Sequence, residues 1–143
     1  MILVDANILI YATTECPEQK RALEWLDGTI NTGTRVGLPW ASLLAFTRVV
    51  TDFRLYKGPL TTQQACGQIE RWLDCPNIWT PGPSYRHMMF LRGTLEAIGA
   101  KSRLTPDAHL AALAMEHGLT LCSADRDFSR FPGLKWMNPL SAS

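Results

Sequence analysis

The sequence predicts an α/β protein, an α/β/α sandwich on a short, mostly parallel central sheet of four to five strands. Three observations carry this expectation. Met1-Ile2-Leu3-Val4 is apolar without polar alternation, the pattern of a strand covered on both faces. Leu119 to Cys122 repeats that pattern near the other end of the chain. Between them, stretches with helical apolar spacing alternate with short extended segments. At 143 residues and 16.0 kDa, without repeat, low-complexity tract or linker, residues 1–143 read as one domain with a proper core.

Taken in order, the first strand ends at Asp5, and Cys16-Pro17-Glu18 opens a helix running to about Gly28. Its buried stripe is Ala22, Trp25, Leu26 and Thr29. Arg35-Val36-Gly37-Leu38 reads as a second strand. Pro39 suits the start of the next helix, Trp40 to about Phe53, because its missing N–H is not needed there. Trp40, Leu43, Phe46, Thr47 and Val50 form the inward stripe of that helix. Thr61-Thr62-Gln63-Gln64 is a capping-box pattern, and the helix it starts turns Ala65, Ile69, Trp72 and Leu73 inward. Asn77 to Thr80 is a strand-like link. After the turn Pro81-Gly82-Pro83, Ser84 is expected to cap a helix that ends at Ile98-Gly99, with Met88, Leu91, Leu95 and Ile98 facing in. Thr105 as cap, Pro106 at the first position and Gly118 as stop frame another helix. A strand over Leu119–Cys122 and a last short strand around Leu134-Lys135-Trp136 close the chain.

Composition narrows the class. A hydrophobic content of 46% against 19% charged residues describes a globular chain, not a disordered one. A net charge of +1 argues against a non-specific nucleic-acid coat, yet permits a basic rim around an acidic site. No basic leader precedes the first strand, and no apolar run nears the ~20 residues of a membrane span. A cytoplasmic protein without membrane association is therefore expected. Cys16, Cys66, Cys75 and Cys122 are scattered, without zinc-ligand spacing, and are expected as thiols.

The candidate chemistry lies in carboxylates at element ends. Asp5 stands at the carboxyl end of the first strand, where open α/β sheets bind ligands. Asp107 heads the stripe of Leu110, Ala111 and Ala114, although a first-turn Asp also complements the helix dipole. Asp125 and Asp127 follow the second apolar run, although Asp-Arg-Asp also reads as a solvated turn. As a set, Asp5, Asp107 and Asp125 make a hard-oxygen site suited to Mg2+ or Mn2+, since clustered carboxylates repel without a cation.

Asp5-Ala6-Asn7, Leu38-Pro39-Trp40-x-x-Leu43-Leu44-x-Phe46-x-Arg48, Asp107-Ala108-x-Leu110-Ala111-Ala112-x-Ala114 and Ser123-x-Asp125-x-Asp127-Phe128 occur in this order. Together they resemble the PIN-domain family, and within it the VapC toxins of bacterial toxin–antitoxin pairs, over almost the whole chain. The resemblance implies a Mg2+- or Mn2+-dependent endoribonuclease that is neutralised by a small VapB-like antitoxin and forms a homodimer. Matched residue by residue, Asp5, Asp107 and Asp125 take the place of the metal-holding acids. Asp127 matches a nearby supporting acid, and Asn7 and Ser123 match polar residues that orient the ligands.

One position departs from the pattern. Ala45 stands where the family commonly has a Glu just before Phe-x-Arg, and Asp52 lies seven residues on, roughly 10 Å along a helix. The gap favours one well-held metal over two. It also supports the alternative of a catalytically weak PIN domain acting by RNA or protein binding. An aspartyl-phosphate phosphotransferase is a further alternative, weakened because Asn7 stands where a second Asp is wanted. Arg126, Arg48 and Arg130 are the expected phosphate contacts, Arg126 foremost because it sits between two acids; for each alone a surface ion pair is the default. Tyr11 and Trp40 read as core rather than as base-stacking platforms, and Met88, Met89 and Phe90 as helix packing. His87, His109 and His117 show neither metal-ligand nor triad spacing, and His109 is expected on an exposed helix position.

Overall fold

The computed structural model describes residues 1–141. Among these residues five short strands, β1 (Ile2–Val4), β2 (Val36–Gly37), β3 (Ile78–Trp79), β4 (Thr120–Cys122) and β5 (Trp136–Met137), form a wholly parallel sheet in the order β3-β2-β1-β4-β5. Six α-helices among the described residues cover it: α1 (Ala6–Thr13), α2 (Gln19–Asn31), α3 (Trp40–Val50), α4 (Thr62–Leu73), α5 (His87–Ile98) and α6 (Thr105–Glu116). The α/β/α sandwich expected from the sequence is the fold observed.

Strand alternation sorts the core into two halves. Val4, Val36, Leu38 and Ile78 join α1 to α4 on one face. Leu3, Trp79 and Leu121 join α5, α6, Phe128 and Phe131 on the other. Gly37 has to be glycine for packing reasons: a Cβ there would lie 3.0 Å from Pro81 Cγ and 3.1 Å from Leu3 Cδ1. Gly118 ends α6 at a φ of +67°, a conformation that glycine adopts without a Cβ penalty. Among the described residues no helix is long and apolar enough to cross a membrane. The four cysteines are free thiols, and burial pushes that of Cys122 up to about 12.

The chain leaves β1 toward β2 and β3 on one side, then returns across the sheet to lay β4 against the other edge of β1. The carboxyl ends of β1 and β4 therefore form the topological switch point, the crevice where such sheets bind ligands.

Several elements differ from expectation, each for a local reason. Residues 6–13, which follow β1 directly, form α1, because Asp5 caps them and Ala6, Ile8, Leu9 and Ala12 give the helix a buried side. Helix α2 runs through Gly28 to Asn31, since a Gly in an exposed helix position costs only about 1 kcal/mol. Trp40 is 53% exposed and Met88 56% exposed, so neither belongs to the inward stripe assigned to it. On α5 the buried positions are His87, Thr94 and Ile98, so the first and third positions of the expected stripe fall one residue earlier while Ile98 faces in as expected. Ser84 does not cap α5; its hydroxyl and N–H bind the Glu116 carboxylate instead, at 2.6 and 3.0 Å. Thr105 lies inside α6 and gives its hydroxyl to the Ser102 carbonyl, because a 3-10 turn over Ser102–Leu104 feeds the helix directly. The capping box at Thr61 and Gln64 forms as expected, with reciprocal bonds of 3.1 and 2.9 Å.

Candidate active site

Strand β1 delivers Asp5 to the switch point, and its N–H continues the ladder by donating to the Cys122 carbonyl at 3.0 Å. The side chain is fixed on both oxygens. Oδ1 accepts from Ala6 N–H at 2.7 Å as the N-cap of α1, and Oδ2 accepts from the Ser123 hydroxyl at 2.7 Å. Ser123 is wholly buried and is the junction of this network. Its Oγ also accepts from Asn7 Nδ2 and from Asp125 N–H, each at 3.0 Å, so its donor and both lone pairs are used. Asn7 Oδ1 accepts from Ala124 N–H at 3.3 Å, which ties α1 to the end of β4 a second time. These bonds put Asn7 and Ser123 between the ends of the two strands.

Asp125 caps a 3-10 turn over Arg126–Arg130 by accepting from Asp127 N–H at 2.9 Å. Asp107 enters from the first turn of α6. One carboxylate oxygen from each of Asp107, Asp125 and Asp127 lies within 4.8 Å of the others. Asp127 thus stands in the tight set beside two of the expected acids. Asp5 borders it, already holding its two donors. Burial raises its carboxyl most and the Asp125 charge adds to that, against the lowering bonds from Ser123 and Ala6. Asp107 is pushed up to about 6 by burial and by the charges of Asp125, Asp5 and Asp127, with Arg103 acting against them. This crowding is what a divalent cation would relieve. The donors are carboxylate oxygens without thiol or imidazole, which fits Mg2+ or Mn2+ better than a soft metal.

The arginines fall differently from their expected roles. Arg130 reaches the cluster but is committed to Asp127, through Nη2 to Oδ1 at 3.1 Å and Nε to the carbonyl at 3.2 Å. Arg48 is exposed on the last turn of α3, and its charge acts on Asp52. Arg126 is exposed. Arg103, which the sequence reading passed over, lies 3.8 Å from Asp127 Oδ2. Its only signal in the sequence is a position four residues before Asp107 on a continuous helical path. Ala45 is half-buried on α3, and Asp52 is no substitute for the missing acid because Arg54 holds it at 3.0 and 3.1 Å.

The histidines also meet in a way their spacing hid. His87 Nδ1 bonds the Glu116 carboxylate, and His87 Nε2 faces His109 Nδ1 at 3.1 Å. His109 is therefore half-buried between α5 and α6 rather than exposed.

With this geometry in place, similarity to known proteins becomes informative. No family model matches the chain. Ribonuclease VapC37 of Mycobacterium tuberculosis is 42% identical over 140 residues, covering 97% of each chain. The chain belongs to the VapC family. Ribonuclease VapC33 of the same organism is 41% identical over 143 residues, covering 98% of this chain and 99% of its own. VapBC-1 from nontypeable Haemophilus influenzae matches with a TM-score of 0.72 at 16% identity, over 99% of this chain and 100% of that one. FitAB bound to an IR36 DNA fragment matches with a TM-score of 0.71 at 19% identity, over 100% and 98%. At that identity the two structures speak for the fold alone, and the fold is that of the VapC and FitB proteins. The resemblance seen in the motifs is thus a family relationship, spread over nearly the whole length.

Proposed function

We propose that this chain is the ribonuclease toxin of a VapBC-type pair, a Mg2+- or Mn2+-dependent enzyme that hydrolyses RNA phosphodiester bonds. One observation carries the reading: at the sheet's switch point three carboxylates approach within 4.8 Å beside half-buried Asp5, in a VapC family member. Asp5, Asp107 and Asp125 would hold the ion, and Asp127 shares the work because its oxygen lies in the same set. Once bound, such an ion makes water a better nucleophile and offsets charge building on the phosphoryl oxygens. The chain's own residues supply position. Ser123 and Asn7 hold Asp5 and the end of β4 in register, and Arg130 steadies Asp127. The ordering is done before substrate arrives, which is where a preorganised site gains its rate.

The binding-only alternative rested on Ala45. It loses ground because relatives at 42% and 41% identity are named ribonucleases. A VapB-like antitoxin and a second copy of the chain remain the proposed protein partners. Exposed Trp40, Leu44, Phe53 and Leu55, and on the α5 side Tyr85, Met88 and Met89, offer apolar surface for them. Light scattering with and without the antitoxin reads both.

The deciding experiment is sequencing of RNA cut by the purified chain, with EDTA and with Asp5→Asn and Asp107→Asn. Cleavage is expected only with Mg2+ or Mn2+ and the parent chain, with a loss of at least about a hundredfold in either variant. Parent-like cleavage by either variant removes that residue from the site, and cleavage that survives EDTA removes the metal.

A further inference from the structure

Four carboxylates crowd the switch point, and an RNA backbone brings more negative charge to it. The cations already there differ sharply in how free they are. Arg130 gives two hydrogen bonds to residue 127, one to its side chain and one to its carbonyl, and its own side chain is only 25% exposed. It is a fixed part of the scaffold. Arg103 is the opposite case. Its guanidinium stands 3.8 Å from the other Asp127 oxygen, beyond hydrogen-bonding distance, and its side chain is 71% exposed. It faces the acids from the solvent side, on the turn that leads into Asp107, and exposed Lys101 lies at the start of the same turn. Arg126 makes neither a hydrogen bond nor an ion pair with an acid among the described residues, so Arg103 is the cation that both faces the cluster and remains largely exposed.

We propose that Arg103 binds an RNA backbone phosphate at the mouth of the acidic site. The inference deepens the ribonuclease reading given above and rests on it. In the absence of RNA the guanidinium partly neutralises Asp127. It moves to the incoming phosphate because a guanidinium makes charge-assisted, two-pronged bonds to phosphate, which the loose contact with Asp127 does not. A cation that a carboxylate holds at a distance is already aimed without being spent. This is a residue-level contribution to substrate placement, separate from the acids that do the chemistry.

The test uses the full chain with Arg103→Ala and Arg103→Lys, with three readings. Melting temperature is expected to stay near that of the parent, because the side chain is mostly solvated. Binding of a single-stranded RNA in EDTA, followed by fluorescence anisotropy, is expected to weaken about five- to tenfold in Arg103→Ala. The slope of log Kd against log salt should fall by about 0.7, the signature of one lost phosphate contact. With metal present, KM should rise while kcat changes little, and Arg103→Lys should recover part of the binding. An unchanged Kd and salt slope overturns the inference. So does weakened binding with the parent's salt slope, because a merely structural role would give that. If the parent cuts no RNA with any metal while Arg103→Ala still lowers binding and slope, the ribonuclease reading fails and the phosphate contact stands.

Discussion

The hydroxyl of Ser123 has one proton to give and two lone pairs to receive with, and all three are engaged, by Asp5, Asn7 and Asp125. Ser123→Ala would leave three buried or half-buried polar groups without a partner. We expect it to cost about 1–3 kcal/mol in urea denaturation with EDTA present, and to weaken Mn2+ binding as Asp5 loses its orientation. Asp107 makes a different prediction. Its carboxyl is pushed up to about 6 in the folded chain, from an ordinary value of 3.8, so the folded state binds more protons between those values. Stability of the metal-free protein therefore falls as pH rises through that window and stays lowered above it. Asp107→Asn, which cannot ionise, should melt above the parent at pH 7.5 in EDTA, with the gap closing toward pH 4.5. A gap independent of pH would contradict this. Residue identity was the most legible level of the site: strand-end and helix-head positions pointed to Asp5, Asp107 and Asp125. The tight approach of Asp127 was not legible, since it depends on a 3-10 turn that folds Asp127 N–H back onto Asp125.

Helices α5 and α6 form the antiparallel layer that carries Asp107, and a polar junction holds them together. His87 lies 22 residues from His109 and 29 from Glu116 along the chain, too far for any local spacing to show these contacts. The Glu116 side chain is 1% exposed. Burial pushes its carboxyl up, but bonds from Ser84 and His87 outweigh burial and hold it below its ordinary value. The junction's stability is thus present at neutral pH and is lost as pH falls through that lowered value. His87→Ala removes one of the bonds to the Glu116 carboxylate and leaves those from Ser84, and should cost about 1–3 kcal/mol by chemical denaturation. Because the junction makes no bond to the acidic cluster, metal-dependent cleavage by the folded fraction should persist. The exposed Met88 and Trp40 belong to this scale too. Apolar periodicity reports which face of a helix is apolar, not whether anything in the same chain covers it.

For the whole molecule, the acids matter because they come from three separate segments: the end of β1, the end of β4 and the head of α6. An ion shared among them would bind the folded chain and not the unfolded one. Mn2+ at a hundred times its Kd should then stabilise the protein by about 2.7 kcal/mol, visible as a raised melting temperature that EDTA reverses. The increase should be larger at pH 7.5 than at pH 5.5, where Asp107 is more fully protonated. No shift with Mg2+ or Mn2+ at any pH would count against the proposed site.

By itself the sequence determined the layer architecture, the parallel sheet, the acids at element ends and the gap at Ala45. Each depends on local pattern: unalternated apolar runs, helical spacing, and the position of a carboxylate relative to the run before it. Tertiary structure alone decided that Asp127 joins Asp107 and Asp125, that Arg130 is committed while Arg103 is only loosely paired, and that the histidines meet Glu116. Those relations follow from pairing β1 with β4 and laying α5 on α6, which brings together side chains that no periodicity connects. Charge and burial at a site are sums over neighbours in space, and only the fold says who the neighbours are.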